Sequence, residues 1–422
     1  MKPPDLHLDA VVAAVDALPA GSLSAARQAA LEQLRAAGMP KSREEDWKYT
    51  DVSALVDITN TWLADGATVP QPVAVEPPTG IEADWITIAN GQVDDAQIAA
   101  LPAGVTVRRL SDRDATLAPA GRLGSLNVAL LRDGLQVSVA RGVTLDRPIG
   151  FLVHDVAAAG ANVSQVRIDI DLAPYSRASF IEHQSSAGDG DLYANVAVNL
   201  ALADGARADY VRLQLRQAQH SQTGYHAVSL GRDTHLRQAS FDLGGALVRN
   251  DLDVSIDQPA ATAEFGGLYL VGDGQHVDNH TRVDHRVGPA ISRQEYRGIL
   301  AGKSRGVWNG KAIVHEGADG TDAEQSNHNL LLSQRAEINA KPELEIYADD
   351  VKCSHGTTVG QLDETALFYL RTRGLDRDEA RQALTRAFAH AIVGRLPVAQ
   401  LEPFLLAAID ARLRELLREA SS

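Results

Sequence analysis

The spacing of apolar positions changes several times along the chain, and each change marks a different kind of structure. Between Leu6 and Leu34, Val11, Val12, Val15 and Leu18 fall on one helical face and Leu31 with Leu34 on another, while Pro19-Ala20-Gly21 separates two predicted helices. In Ser42-Arg43-Glu44-Glu45-Asp46-Trp47-Lys48-Tyr49-Thr50, Ser42 and Glu45 have the spacing of a capping box and predict a short helix anchored by Trp47 and Tyr49. Pro70, Pro72, Pro77 and Pro78 exclude regular structure between Gly66 and Gly80 and place a boundary near 80. A further short helix is predicted where Leu123, Leu126, Leu130 and Leu131 share a face ahead of the Asp133-Gly134 turn.

From Leu135 to Asp350 the period drops to two. Val137/Val139, Ile168/Ile170, Val211/Leu213/Leu215, Leu252/Val254/Ile256 and the residues around Ile299 form short alternating runs bounded by Gly, Asp or Pro, which predicts an all-β body. Alternation by itself leaves a sandwich, a propeller and a stacked β-helix open, although Trp-Asp blade signatures are missing. The helical period then returns: Leu362, Leu367 and Leu370 precede Gly374, Ala380, Leu384, Phe388 and Ile392 follow it, and Leu401 to Leu417 supplies another amphipathic helix. The expected domains are an N-terminal helical region with its Pro-rich linker (1–80), a mixed α/β entry segment (81–134), a β core (135–358) and a C-terminal helical region (359–422).

Composition narrows the function. The 422 residues are 45% hydrophobic, enough for a sizeable core, and 40 Lys and Arg against 55 Asp and Glu give a net charge of -15. That charge repels nucleic acid and anionic membrane surfaces alike. One cysteine excludes an internal disulfide and a self-contained Cys-x-x-Cys site, pointing to a reducing compartment. The start, Met1 to Ala10, lacks the basic and apolar blocks of a signal peptide, and long uncharged apolar stretches are missing, so the expected location is the cytoplasm.

Three constellations could carry chemistry. Gly298-Ile299-Leu300-Ala301-Gly302-Lys303-Ser304 ends like a phosphate loop but has three residues between its glycines where four are needed, and β sequence follows it, so it reads as a turn and the chain is expected to bind no nucleotide. His276 to His285 concentrates three imidazoles and two carboxylates. In a strand, His276 and His280 share a face and His285 points away, so the segment reads either as a metal site needing a bend or as a polar outer face bonded to neighbouring turns. Cys353-Ser354-His355-Gly356 places a thiol and an imidazole on one face of an extended segment, about 7 Å apart at Cα. Both could reach one metal or cluster, but the pair is an incomplete ligand set, and a buried thiol beside a hydrogen-bonded His is the plainer alternative.

The run Lys341-Pro342-Glu343-Leu344-Glu345-Ile346-Tyr347-Ala348-Asp349-Asp350-Val351-Lys352-Cys353-Ser354-His355-Gly356, with Gln361-Leu362-Asp363-Glu364 and Phe368-Tyr369-Leu370-Arg371-Thr372-Arg373-Gly374, resembles the core signature of the SufB/SufD family of iron–sulfur cluster assembly proteins. Matching segments at Arg43 to Thr50, Leu126-Asn127, Asp133-Gly134, Asp284-His285 and Ser292 to Tyr296 spread the resemblance over nearly the whole chain. A single cysteine fits the SufD side of the family better than the cysteine-rich SufB side. The resemblance implies a right-handed parallel β-helix flanked by N-terminal and C-terminal α-helical regions, and a non-catalytic subunit in a complex with SufB and two SufC subunits of the ABC-type ATPase class. It implies that the C-terminal helices dock SufC, with Phe368, Tyr369, Leu370, Arg371, Arg373 and Gly374 in the matching stretch. It assigns His355 first, and Cys353 second, as ligands for iron or a transient iron–sulfur cluster shared with SufB; Cys353 stays open between a functional and a structural part. Other readings are a SufB-like scaffold, a homodimeric β-helical structural protein, which the isolated chain would also resemble if it pairs with itself, and a β-helical polysaccharide-active enzyme.

Overall fold

Each strand of the central body pairs in parallel with the strand two places along the chain, not with its sequence neighbour. The structure, a computed structural model, describes residues 4–98, 101–112, 117, 121–157 and 159–420. Alternate strands build two sheets: ten strands running from Gln92–Val93 and Asp84–Ala89 to Asp322–Leu331 and Lys352–Gly360, and nine from Val105–Arg109 to Arg305–Val314 and Glu337–Ile346. The result is a parallel β-helix of about 8 turns with helices at both chain ends. It is one of the architectures that alternation left open, and the one the family resemblance implied.

In-register parallel pairing explains why the strands need no strict sequence repeat. Equivalent positions stack directly, so Ile170, Leu200, Val228, Val254, Val283, Ala312 and Leu344 form one apolar column inside the second sheet. Any apolar side chain of suitable size maintains such a column, each buried one contributing roughly 1.5–3 kcal/mol relative to exposure.

The two ends of the β-helix differ. At the start, Val105–Arg109 pairs antiparallel with Leu135–Val139, and Gln92–Val93 folds back antiparallel on Asp84–Ala89. The last turn, Glu337–Ile346 and Lys352–Gly360, has no further strand on it among the described residues. Helices cover the outer faces. Leu8–Asp16, Ser24–Ala37, Ser53–Ala64 and Gly121–Leu130 pack together and onto Val163, Tyr193 and Leu247 of the second sheet. Arg377–Val393 and Glu402–Glu419 lay Ile392, Leu405, Ile409, Leu413 and Leu416 on Val211, Phe241, Leu268 and Ile299 of the first sheet. Asp376 and Glu379 form a full capping box at the start of the first of these two helices, and Gly374 takes a left-handed φ of 103° in the turn before it.

The capping box expected at Ser42 does not form. Glu45 reaches instead to Lys341 in the last turn (2.9 Å), Glu44 pairs with Arg122, and only a single 3₁₀ turn, Glu45–Trp47, remains. Long-range ion pairs hold this segment where the spacing suggested a local cap. The Gly298–Ser304 segment is a turn as expected: Ile291–Leu300 ends in it, Gly302 is left-handed, and Arg305–Val314 leaves it as a strand.

Candidate functional site

The last turn is built from the sequence run that stood out. Glu337–Ile346 and Lys352–Gly360 are joined by a corner in which Asp350 takes a positive φ, Tyr347 N–H donates to the Val314 carbonyl (2.8 Å) and Lys352 N–H to the Thr321 carbonyl (2.8 Å). On one side Lys352–Gly360 pairs with Asp322–Leu331, setting Cys353 beside Ala323, His355 beside Gln325 and Thr357 beside Asn327. Its other edge meets no strand among the described residues, leaving a row of backbone donors and acceptors available to an incoming strand.

That register fixes where the candidate ligands point. Ala323, Gln325 and Asn327 are buried and face the interior, and the Gln325 amide reaches across it to the Gly310 carbonyl and the Ala312 N–H of the opposite sheet, both at 3.1 Å. Cys353 and His355 continue this inward row one turn further, where no further strand lies above them among the described residues, so they sit over the open end of the interior. Cys353 is half-buried and His355 exposed. Burial, reinforced by the Asp322 carboxylate, pushes the Cys353 thiol up, so it is protonated at neutral pH. The two side chains are half of a tetrahedral set, and among the described residues no group of three His, Cys, Asp or Glu side chains is placed to hold a metal ion.

The histidine-rich strand His276–His285 is occupied by internal contacts. His276 and His280 do share its outer face, with Asp278 between them, and the segment ending at Thr50 lies across all three. Thr50 bonds His276 Nε2 (2.9 Å) and donates to Asp278; Arg249 donates to Asp278 (2.6 Å) and meets His280 Nε2 (3.0 Å), while its guanidinium lies 4.4 Å from the centre of the Trp47 ring. Burial would raise the Asp278 carboxyl, but Arg249, His280 and Thr50 outweigh it and hold the group far below the usual carboxylate range. His285 points inward to Ser292 Oγ (2.9 Å), and burial takes its pKa down to about 4. The bonded outer face, rather than a metal site, describes this strand.

Trp47 and Arg249 also line a groove of about 700 Å³ between the N-terminal segment and the second sheet, together with Tyr225, Lys311 and Lys341. Sequence reasoning missed this groove, because its walls come from segments two hundred residues apart. In the C-terminal region, helix Glu364–Thr372 buries Leu367 and displays Phe368 and Tyr369 at 67% and 56% exposure. Arg373 stacks on the Tyr369 ring at 5.2 Å and bonds its hydroxyl at 3.2 Å, while Leu370, Arg371 and Gly374 complete the helix end. No helix among the described residues is long and apolar enough to cross a membrane.

Comparison with known proteins accounts for both halves of this architecture. The family model described as SUF system FeS cluster assembly, SufBD core domain, matches residues 154–388, and that of the SufBD protein N-terminal region matches 9–151. The chain is 31% identical to the iron–sulfur cluster assembly protein SufD of Escherichia coli over 91% of each chain. It is 25% identical to SufD of Bacillus subtilis over 69% of this chain and 67% of that one, and 25% identical to the chloroplastic protein ABCI7 of Arabidopsis thaliana over 88% and 82%.

Proposed function

The chain belongs to the SufBD family of iron–sulfur cluster assembly proteins and is homologous to SufD, and from that premise we propose that it is a non-catalytic subunit completing a cluster-forming site with SufB. The observation that carries this reading is the open last turn, which offers an unpaired strand edge and, over the interior beside it, an incomplete thiol and imidazole pair. A partner strand on that edge would bring its own ligands within reach of His355 and Cys353. In this reading iron, or a transient cluster, is the cargo of the site: His355 is its ligand from this chain, and Cys353 contributes once its proton is displaced.

ATP enters through a partner. The Gly-Lys-Ser segment is a turn between strands and offers no phosphate cradle, so SufC would supply the nucleotide chemistry. Phe368 and Tyr369, with Leu370, Arg371, Arg373 and Gly374 around them, form the docking surface, an exposed aromatic pair with cationic neighbours. Closure of two SufC subunits would then strain the SufB contact at the last turn, where the strand is held on one side only. A polysaccharide-active enzyme is disfavoured because most of the groove carboxylates are engaged: Asp251 by Arg249, Asp253 by the Tyr225 hydroxyl, and Glu343 and Glu45 by Lys341.

Co-expression with SufB and SufC, followed by purification through a tag on this chain, tests the proposal. A complex containing all three is expected. A chain that purifies only with itself, leaving SufB and SufC unbound, would instead support a homodimer joined by the same edge.

A further inference from the structure

The interior of the β-helix is not uniformly apolar. In its central turns, Gln238 Nε2 donates to His226 Nδ1 across the interior (3.1 Å), and the His226 ring packs on Tyr210 at 4.7 Å between centroids. Arg212 is paired with Asp242 (3.0 Å) and also donates to Asn250. Gln238, His226, Arg212 and Asn250, with Glu182 and Asn279, border a cavity of about 30 Å³. Four polar atoms there are sealed from solvent and have no hydrogen-bond partner among the described residues: Arg212 Nε, His226 Nε2, Gln238 Oε1 and Asn279 Nδ2.

Their chemistry is complementary. An amide nitrogen can only donate, so His226 Nδ1 accepts. Burial, assisted by the Arg212 charge, pulls the His226 pKa down to about 3, and the neutral ring therefore carries its proton on Nε2. The unsatisfied set is then three donors, Arg212 Nε–H, His226 Nε2–H and Asn279 Nδ2–H, and one acceptor, Gln238 Oε1. An anion could not donate to Gln238 and would face the Glu182 carboxylate; a cation would face Arg212 and two N–H groups. Small neutral molecules with both O–H donors and lone pairs satisfy this set. Polar groups left sealed and unpaired are costly, and the volume suits one or two water molecules.

We propose that this cavity is a specific internal water site, in which an ordered water accepts from Arg212 and His226 and donates to Gln238. Gly224, Tyr225, Asp251 and His280 line both this cavity and the groove beneath the N-terminal segment, so the site adjoins that groove.

The test uses the full-length chain, in a crystal structure that resolves ordered solvent and in NMR spectra with ¹⁵N-labelled histidine rings. The site predicts a density peak within hydrogen-bond distance of His226 Nε2 and Gln238 Oε1, and a neutral His226 ring protonated on Nε2 whose proton shows transfer to water. His226→Phe should lose the peak while Asp242 and Arg212 stay paired. If that variant does not fold, the wild-type measurements decide the matter by themselves. A dry cavity, or a neutral ring protonated on Nδ1, overturns the proposal.

Discussion

His355 lies directly beside Gln325 in the parallel ladder, one step beyond the last side chain that spans the interior to the opposite sheet. The candidate ligand is therefore the exposed end of a buried row and not a feature of the outer surface. A β-helix that ends unfinished exposes both a strand edge and the contents of its interior, and a partner can complete both at once.

The edge should matter more than the chemistry of any one side chain for pairing with SufB. Val359 lies on Lys352–Gly360 and is 52% exposed. Val359→Lys places a charge where a partner strand would add, and is expected to weaken SufB binding at least tenfold, about 1.4 kcal/mol, while changing the stability of the isolated chain by less than about 0.5 kcal/mol. Binding titrations beside urea unfolding check both; unchanged affinity would move the SufB contact elsewhere.

Docking of the ATPase is assigned to a different surface and should be separable. Phe368→Asp is expected to abolish co-purification of SufC while SufB still binds, because Phe368 is exposed and its neighbour Leu367 carries the packing of that helix. Retention of SufC at wild-type stoichiometry would remove the aromatic pair from the interface.

The segment ending at Thr50 is locked through one buried cation. Arg249 bonds Asp251 and Asp278 and stacks on Trp47. Arg249→Met leaves the Asp278 charge buried without its main partner and should destabilise the chain by about 3–5 kcal/mol. Limited proteolysis should then cut between residues 41 and 50, where the wild type resists; an uncut, equally stable variant would contradict this account of the lock.

Acid should weaken the fold through its buried imidazoles. Burial depresses both His183 and His285 to about 4, so each stays neutral in the folded chain while the unfolded chain takes up a proton near pH 6.5. Stability from these groups is complete above the unfolded pKa and is lost as pH falls toward 4, by about 2 kcal/mol per histidine between pH 7 and 5. His183→Phe, at a site already packed beside Phe404, should show a shallower loss in urea unfolding at pH 7 and 5. An identical pH slope would mean that His183 does not titrate this way.

Elements with an uninterrupted period were legible in the sequence. Leu123 to Leu131 and the three C-terminal helices appear where their apolar spacing put them. Helix Ser53–Ala64 was not anticipated, though Leu55, Val56, Thr59, Trp62 and Leu63 do carry a buried face. The path of the β body was not legible for a physical reason: parallel stacking pairs residues a full turn apart, and a two-residue period carries no information about which sheet a strand joins. Inward polar residues such as Asn250, Asn279, Gln294 and Gln325 interrupt the alternation and make core positions look like surface. Residue types put Cys353 and His355 on one face, as found, but only the register with Ala323 and Gln325 shows that this face looks into the interior.

The most direct test of the central claim is the iron and sulfide content of the complex purified anaerobically after co-expression with SufB and SufC, comparing wild type with His355→Ala. If His355 is a ligand at the completed site, the variant should assemble the same complex and carry a small fraction of the wild-type cluster. Full cluster content in an intact His355→Ala complex would contradict it.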